Sequence, residues 1–343
     1  MRYLILVLTL ALWNCTKPPK LIESNPSESL LDGNVPTSRQ NPMEPEFQQE
    51  QKAPKNDDDD TSQEAEDLLP PPGETREDLC KQWSAGESLG SIQFISEASG
   101  LAISASQDDM YYHIDDSGNA NAVYRARQDG SLRDQVFLGQ NTDWESLSLG
   151  PCLDSKQCLY VADIGDNMFI RGTYTLYSID ESQLTSGNGV RTIRFRYEDG
   201  ASHNAEGTAV HPQTGDLYIF TKEDQTDVFR ISRQDLDQNS DMLTASYVRS
   251  FPFPISTGAS ISPSGDRILI LDYQDVYEIR MNLSKADQVA EELIPGTNYQ
   301  RVTIPGQPQQ EAVSFLPNEN SFIFSSEQSG NQLYKVSCLT DSN

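Results

Sequence analysis

Five stretches of this chain share one pattern: a polar lead residue, a short apolar strand, a turn, and a second apolar strand. They are "SGLAISASQDDMYYHID", "ESLSLGPCLDSKQCLYVAD", "EGTAVHPQTGDLYIFT", "TGASISPSGDRILILD" and "EAVSFLPNENSFIFSS". Their lead residues, Ser99, Glu145, Glu206, Thr257 and Glu311, are spaced by 46, 61, 51 and 54 positions. A hairpin recurring at about fifty residues cannot bury its apolar faces alone, whereas stacked copies can. Each hairpin is followed by a third strand carrying an aromatic residue ("AVYRA", "YTLYSI", "DVFRIS", "DVYEIR", "NQLYKVS"), and most by a fourth, such as "TIRFRYE". Four antiparallel strands per unit describe a propeller blade with its first strand nearest the axis. The fifth unit ends after three strands, and "SIQFI" at residues 91–95 is the expected source of its fourth. The expected fold is therefore all-β, a five-bladed β-propeller, with six blades as the alternative. A β-sandwich fits less well, because the repeats align without large gaps.

The repeats leave the first 78 residues unexplained. Residues 1–15, "MRYLILVLTLALWNC", combine one basic residue, an apolar run from Leu4 to Leu12 and a cysteine. This reads as a secretory signal and is short for a membrane span. Its end resembles a bacterial lipoprotein signal, in which the cysteine becomes the lipidated first residue of the mature chain. Leu12 suits the position three before Cys15, while Trp13 and Asn14 stand where small residues are usual. The resemblance implies lipidation at Cys15 and attachment to the bacterial cell envelope, at the outer membrane or the periplasmic face, with the membrane met through this lipid only. Ordinary secretion with an incidental cysteine is the alternative.

Residues 16–78 hold ten of the nineteen prolines, the run Asp57 to Asp60, and 16 acidic against 6 basic residues. Such a segment cannot bury enough apolar surface to offset its ordering entropy, so it is expected to be a disordered, extended tether. Residues 79–343 then form the propeller domain. That domain carries a net charge of about −18, which opposes nucleic acid and suits a divalent cation. The sequence sets no oligomeric state. Setting Cys15 aside leaves four cysteines. In an exported chain these suggest a local Cys152–Cys158 bridge and a Cys80–Cys338 bridge between the domain's ends, although other pairings are compatible with the sequence.

In a propeller, equivalent positions of the innermost strands ring the axis. Ser99, Glu145, Glu206, Thr257 and Glu311 would thus bring three carboxylates and two hydroxyls together. Three buried carboxylates cannot all stay ionised without a counter-charge. An irregular all-oxygen set suits Ca2+ better than magnesium's strict octahedron or zinc's nitrogen and sulfur ligands. The ring is therefore read as a calcium site. Four residues into the returning strands stand Asp115, Asp163, Thr221, Asp272 and Ser326, and two before the ring stand Glu97, Asp143 and Asn204. For the returning-strand set, turn-marking polar residues are the plainer reading.

These residues resemble the calcium-activated nucleotidase (apyrase) family of five-bladed propellers, whose axial calcium is held by a Ser, Glu, Glu, Ser, Glu series from successive blades. Ser99, Glu145, Glu206, Thr257 and Glu311 match that order with one conservative change. "YYHIDDSGNANAVYR" is also similar to a segment of that family. A second likeness is to secreted bacterial propeller lipoproteins carrying "DWE" (Asp143 to Glu145), "ADIGDN" (Ala162 to Asn167) with a following arginine (Arg171), and "AEG" (Ala205 to Gly207). The first resemblance implies calcium-dependent hydrolysis of a phosphoester or nucleotide. Asp115 or Asp163 would then act as base, and Lys222 with Arg171 would hold the oxygens of a small phosphorylated ligand. One departure counts against it: Ser117 and Gly118 follow Asp115 and Asp116 where that family has a basic residue, and developing phosphoryl charge needs cationic partners. The alternative is a noncatalytic propeller with a structural calcium that binds an envelope protein or ligand. His113, His203 and His211 lack zinc spacing, and neither a phosphate-binding glycine loop nor a nucleophile elbow is present.

Overall fold

The computed structural model describes residues 79–238, 240–327 and 332–339; the signal segment, Cys15 and the tether lie outside them. Within the described residues, β1 (Glu87–Ser91) precedes the first repeat. Blade 1 comprises β2 (Ala98–Ile103), β3 (Met110–Asp115), β4 (Ala122–Arg127) and β5 (Leu132–Phe137). Blade 2 comprises β6 (Trp144–Cys152), β7 (Lys156–Asp163), β8 (Tyr174–Asp180) and β9 (Arg191–Tyr197). Blade 3 comprises β10 (Ala205–Val210), β11 (Leu217–Thr221), β12 (Thr226–Ile231) and β13 (Leu243–Phe251). Blade 4 comprises β14 (Gly258–Ile261), β15 (Arg267–Leu271), β16 (Asp275–Arg280) and β17 (Tyr299–Thr303). Blade 5 comprises β18 (Gln310–Phe315), β19 (Ser321–Ser326) and β20 (Gln332–Ser337), with β1 as its outermost strand.

The innermost strands pack in a closed cycle: β2 on β6, β6 on β10, β10 on β14, β14 on β18, and β18 back on β2. The described residues form a propeller of five such blades. Five apolar cores fill the five gaps between neighbouring blades. Each blade is covered on both faces, so its inner strands read as continuous apolar runs; β11 and β15 are buried along their whole length. The outer strand β9, covered on one face only, alternates buried and exposed residues. Blades 2 and 3 are also joined at their outer edges, where Leu243–Ala245 pairs in parallel with Phe195–Tyr197.

The strand that completes blade 5 differs from the expected one. Residues 87–91 pair with β20, and most of "SIQFI" is irregular. Ile92 and Ile95 act as apolar plugs between blades 5 and 1, packed with Leu101, Tyr111 and Ile323. Burial of these two side chains outweighs the β propensity of the segment.

Closure of the ring depends on fastening this N-terminal segment to the last blade. Cys80 and Cys338 form a disulfide with Cα atoms 5.8 Å apart, and Cys152 and Cys158 form a second across the β6–β7 hairpin. Blade 4 supplies a further clasp through Glu278, which is fully buried. Its carboxylate accepts hydrogen bonds from the Cys80 amide (3.2 Å), the Trp83 indole (3.0 Å) and the Gln300 amide (2.7 Å), and pairs with buried Arg267 at 3.1 Å. Glu278 is therefore a charge whose partners all come from the joined ends and their neighbours.

The Cys80–Cys338 bridge spans 258 positions, so its removal frees a long loop in the unfolded chain. Replacing both cysteines with serine is expected to lower unfolding free energy by about 2–5 kcal/mol, measured by denaturant titration, with the all-β circular dichroism retained. An unchanged midpoint would show that Glu278 and the inter-blade cores close the ring without it.

Candidate metal centre

The lead residues sit at a recurring irregularity of the backbone. The β2–β3 register skips Ser99, β6–β7 skips Glu145, β10–β11 skips Glu206, and β18–β19 skips Glu311. A bulge leaves one residue out of the ladder and re-aims its side chain. Here four bulges bring four side chains to one cavity of about 230 Å³ at the end of the axis. Blade 4 pairs without a bulge. Thr257 accordingly does not line the cavity; its hydroxyl donates to the Gln310 carbonyl at 2.6 Å.

Glu145, Glu206 and Glu311 are only 5%, 3% and 6% exposed and form the floor with Ser99. The more open rim is contributed by Asp116, Asn167, Lys222, Tyr273, Gln309 and Glu327. Among the lining residues Lys222 alone is cationic, against five carboxylic side chains. Its ammonium lies 2.6 Å from Glu206 Oε1 and 4.8 Å from the centre of the Tyr273 ring. The Ser99 hydroxyl donates to Glu145 Oε2 at 3.0 Å. Glu206 Oε2 is buried and meets no N–H or hydroxyl donor, and the Glu206 carboxylate is hydrogen-bonded with the Glu311 carboxyl. Asp143, just behind the lining, brings a carboxylate oxygen within 4.8 Å of those of Asp116 and Glu145.

The crowding shows in the acidities. Burial, and then the charges of Glu206, Asp116, Asp143 and Glu311, push Glu145 well above the usual carboxylate range. Burial pushes Glu206 up to about 7 against the opposing pull of Lys222. Burial and the Glu206 charge push Glu311 up to about 10. Burial also raises Asp116 and Asp143. Burial alone would favour neutral Lys222, but Glu206 and Glu311 outweigh it and hold the ammonium protonated. One ammonium does not balance the cluster, so protons do the rest.

An acidic set of this kind can hold a metal ion. Its donors are all hard oxygens, without histidine or cysteine, which suits calcium or magnesium rather than zinc. Two observations fit an ion: Glu206 Oε2, which meets no N–H or hydroxyl donor, and Gly165, where a Cβ would lie 2.4 Å from Asp143 Oδ2 and 2.5 Å from Glu145 Oε1.

Of the residues assigned to catalysis and substrate binding, Asp115, Asp163, Arg171 and Lys222, only Lys222 lines the cavity. Asp115 accepts hydrogen bonds from the Ser96 and Glu97 amides and the Tyr124 hydroxyl. Asp163 accepts from the Thr142 amide and the Arg171 guanidinium. Both carboxylates thus anchor the segments that lead into the inner strands, and neither lines the cavity. Arg171 also donates to the Gly165 carbonyl at 2.7 Å, which leaves its guanidinium engaged. Lys222 does reach the cavity, paired with Glu206. Asp116, Asn167, Tyr273, Gln309 and Glu327 were not assigned from the sequence, although a signal exists for four of them: Tyr273 and Glu327, like Lys222, follow their lead residue by 16 positions and Asp116 by 17, just past the returning strand, and Gln309 stands two before Glu311 as Asp143 stands two before Glu145.

No family model matches the chain, and no curated protein matches it significantly. Among solved structures it is similar to a chain of a nidogen–laminin complex, with 13% identity, TM-score 0.42, and 67% of this chain and 73% of that one covered. It is also similar to a gluconolactonase from Xanthomonas campestris, with 14% identity, TM-score 0.41, and 71% and 72% covered. Likenesses at this level carry no assignment of function.

His203 fixes the segment that delivers Glu206 to the cavity. Its ring lies between Asp199 (2.9 Å) and Glu223 (3.0 Å) and packs on Tyr197 and Phe229. Burial favours the neutral ring, but the two carboxylates overcome it and push His203 up to about 9. With the folded value above the ordinary 6.5, the stabilisation is complete below about pH 6.5 and is lost as pH rises through about 9. Melting curves of the protein and of His203→Gln should therefore differ most at pH 6 and converge above pH 9. A gap independent of pH would show that the ring acts by packing alone.

Proposed function

We propose that this chain is an exported, lipid-anchored propeller of the bacterial cell envelope that binds calcium in its axial cavity and serves as a noncatalytic binding module. The observation that carries this reading is the cavity itself, where buried carboxylates from blades 2, 3 and 5 and the half-buried Asp116 of blade 1 face one ammonium. Glu145, Glu206, Glu311, Asp116 and Ser99 line the cavity that would take the ion, which supplies the positive charge the cluster otherwise lacks. Calcium fits the irregular, side-chain-only oxygen set better than magnesium does. Export and the lipid at Cys15 rest on residues 1–15.

The second reading, calcium-dependent hydrolysis of a phosphoester or nucleotide, meets an obstacle in the geometry. A phosphorylated ligand needs cationic groups that are free to meet its oxygens. Lys222 is committed to Glu206, and Arg171 to Asp163 and main-chain carbonyls. With their carboxylates committed to main-chain and side-chain donors, Asp115 and Asp163 are poorly set to accept a proton from water. The binding module is the reading that asks no group to leave its partner.

Calcium at a hundredfold excess over its Kd contributes about 2.7 kcal/mol, which should raise the melting temperature by about 5–10 °C. EDTA should reverse the rise, and no phosphate should be released from ATP or p-nitrophenyl phosphate in either condition. A melting temperature indifferent to calcium and EDTA would remove the metal. Calcium-dependent phosphate release abolished by Glu206→Gln would establish the hydrolase instead.

A further inference from the structure

The cavity is lopsided. On the side of blades 3 to 5, the Lys222 ammonium sits 2.6 Å from Glu206 Oε1 and over the Tyr273 ring, within the field of Glu311. On the side of blades 1 and 2, the Asp116, Asp143 and Glu145 oxygens converge within 4.8 Å. The nearest guanidinium there, Arg171, is held by Asp163 and the Gly165 carbonyl. We infer that the cavity has two cation seats, that the Lys222 ammonium is the built-in occupant of one, and that a single calcium ion takes the other, between Asp116, Asp143 and Glu145. This rests on the calcium reading above and adds where the ion sits and how many the chain takes.

Several independent features point to the second seat. Glu206 lines the same cavity: Oε1 holds Lys222, while Oε2, on a side chain 3% exposed, meets no N–H or hydroxyl donor, and the carboxylate's other hydrogen bond is with the Glu311 carboxyl. A buried carboxylate oxygen left without a donor is costly unless a cation meets it. The backbone is shaped to the cluster as well. Gly165 passes so close that any side chain there would collide with Asp143 Oδ2 and Glu145 Oε1. Its amide, with that of Ile164, donates to the Asp143 carbonyl at 3.2 and 3.1 Å, which fixes Asp143 beside Glu145. Three converging carboxylates form a compact oxygen set for a divalent ion, whereas the Lys222 ammonium is engaged with Glu206 in the other half.

The two seats also explain why the ring of lead residues is broken at blade 4. Thr257 does not line the cavity, and Lys222 and Tyr273 line it from blades 3 and 4 with a charge and a ring. A cation covalently part of the chain needs no affinity of its own, so one half of the cluster is neutralised whether or not calcium is abundant.

Calcium titration by calorimetry, with calcium alone as the probe, tests this on purified protein and four variants whose folding is checked by circular dichroism. The protein should bind one ion per chain. Asp143→Asn and Asp116→Asn should each weaken binding at least tenfold. Lys222→Met should raise the stoichiometry to two, and Lys222→Arg should keep it at one. Should Lys222→Met fail to fold, the two aspartate variants and Lys222→Arg still decide. Wild-type affinity in both aspartate variants would overturn the second seat while leaving the calcium reading intact. A single ion in folded Lys222→Met would overturn the Lys222 seat, and with it the two-seat arrangement, again leaving the calcium reading intact. No binding by the unaltered protein would overturn the calcium reading itself.

Discussion

Everything at the axial end of this propeller follows from placing more buried carboxylates around one axis than one ammonium can balance. Glu145, Glu206 and Glu311 are almost without solvent, and Lys222 satisfies Glu206 on one oxygen only. A fold built this way must hold protons or cations there, and either choice costs stability when it is withdrawn. The arrangement is unlike the structural ion cluster in which Arg267 meets both Glu278 and Glu319, and Glu278 is further served by Cys80, Trp83 and Gln300. One cluster is balanced by its own chain; the other asks for something from outside.

The device that gathers the carboxylates is backbone geometry rather than loop placement. Four bulges at equivalent positions turn four lead residues out of their ladders. Being part of the inner strands, they are held by the inter-blade cores and by the Asp115 and Asp163 anchors behind them. The result is a rigid floor, and the variable segments between strands supply only the rim.

This division explains what could be read in the sequence. The period of about fifty residues gave the blades and the lead series directly, because the same physical problem is solved five times. Thr257 looked equivalent to the glutamates, but the bulge is a property of pairing, and the hydroxyl turns to a carbonyl instead. Asp115 and Asp163 drew attention as acids near the mouth; their hydrogen bonds, invisible in a linear string, make them anchors. Asp116 and Glu327 stand just past the returning strands at nearly the same distance from their lead residues, and Gln309 precedes Glu311 as Asp143 precedes Glu145, so the period reaches the rim as well; Asn167, in the longer segment after β7, follows no such spacing. The closing strand was misplaced by a few residues because "SIQFI" is apolar enough to be a strand, and the ring uses it as a plug between blades.

Crystals grown with calcium, or with terbium in its place, would test the central claim most directly through an anomalous difference map. The account predicts one strong peak inside the axial cavity, among Asp116, Asp143 and Glu145, with the Lys222 ammonium still against Glu206. A map with no peak there, around an intact cluster of carboxylates, would contradict it.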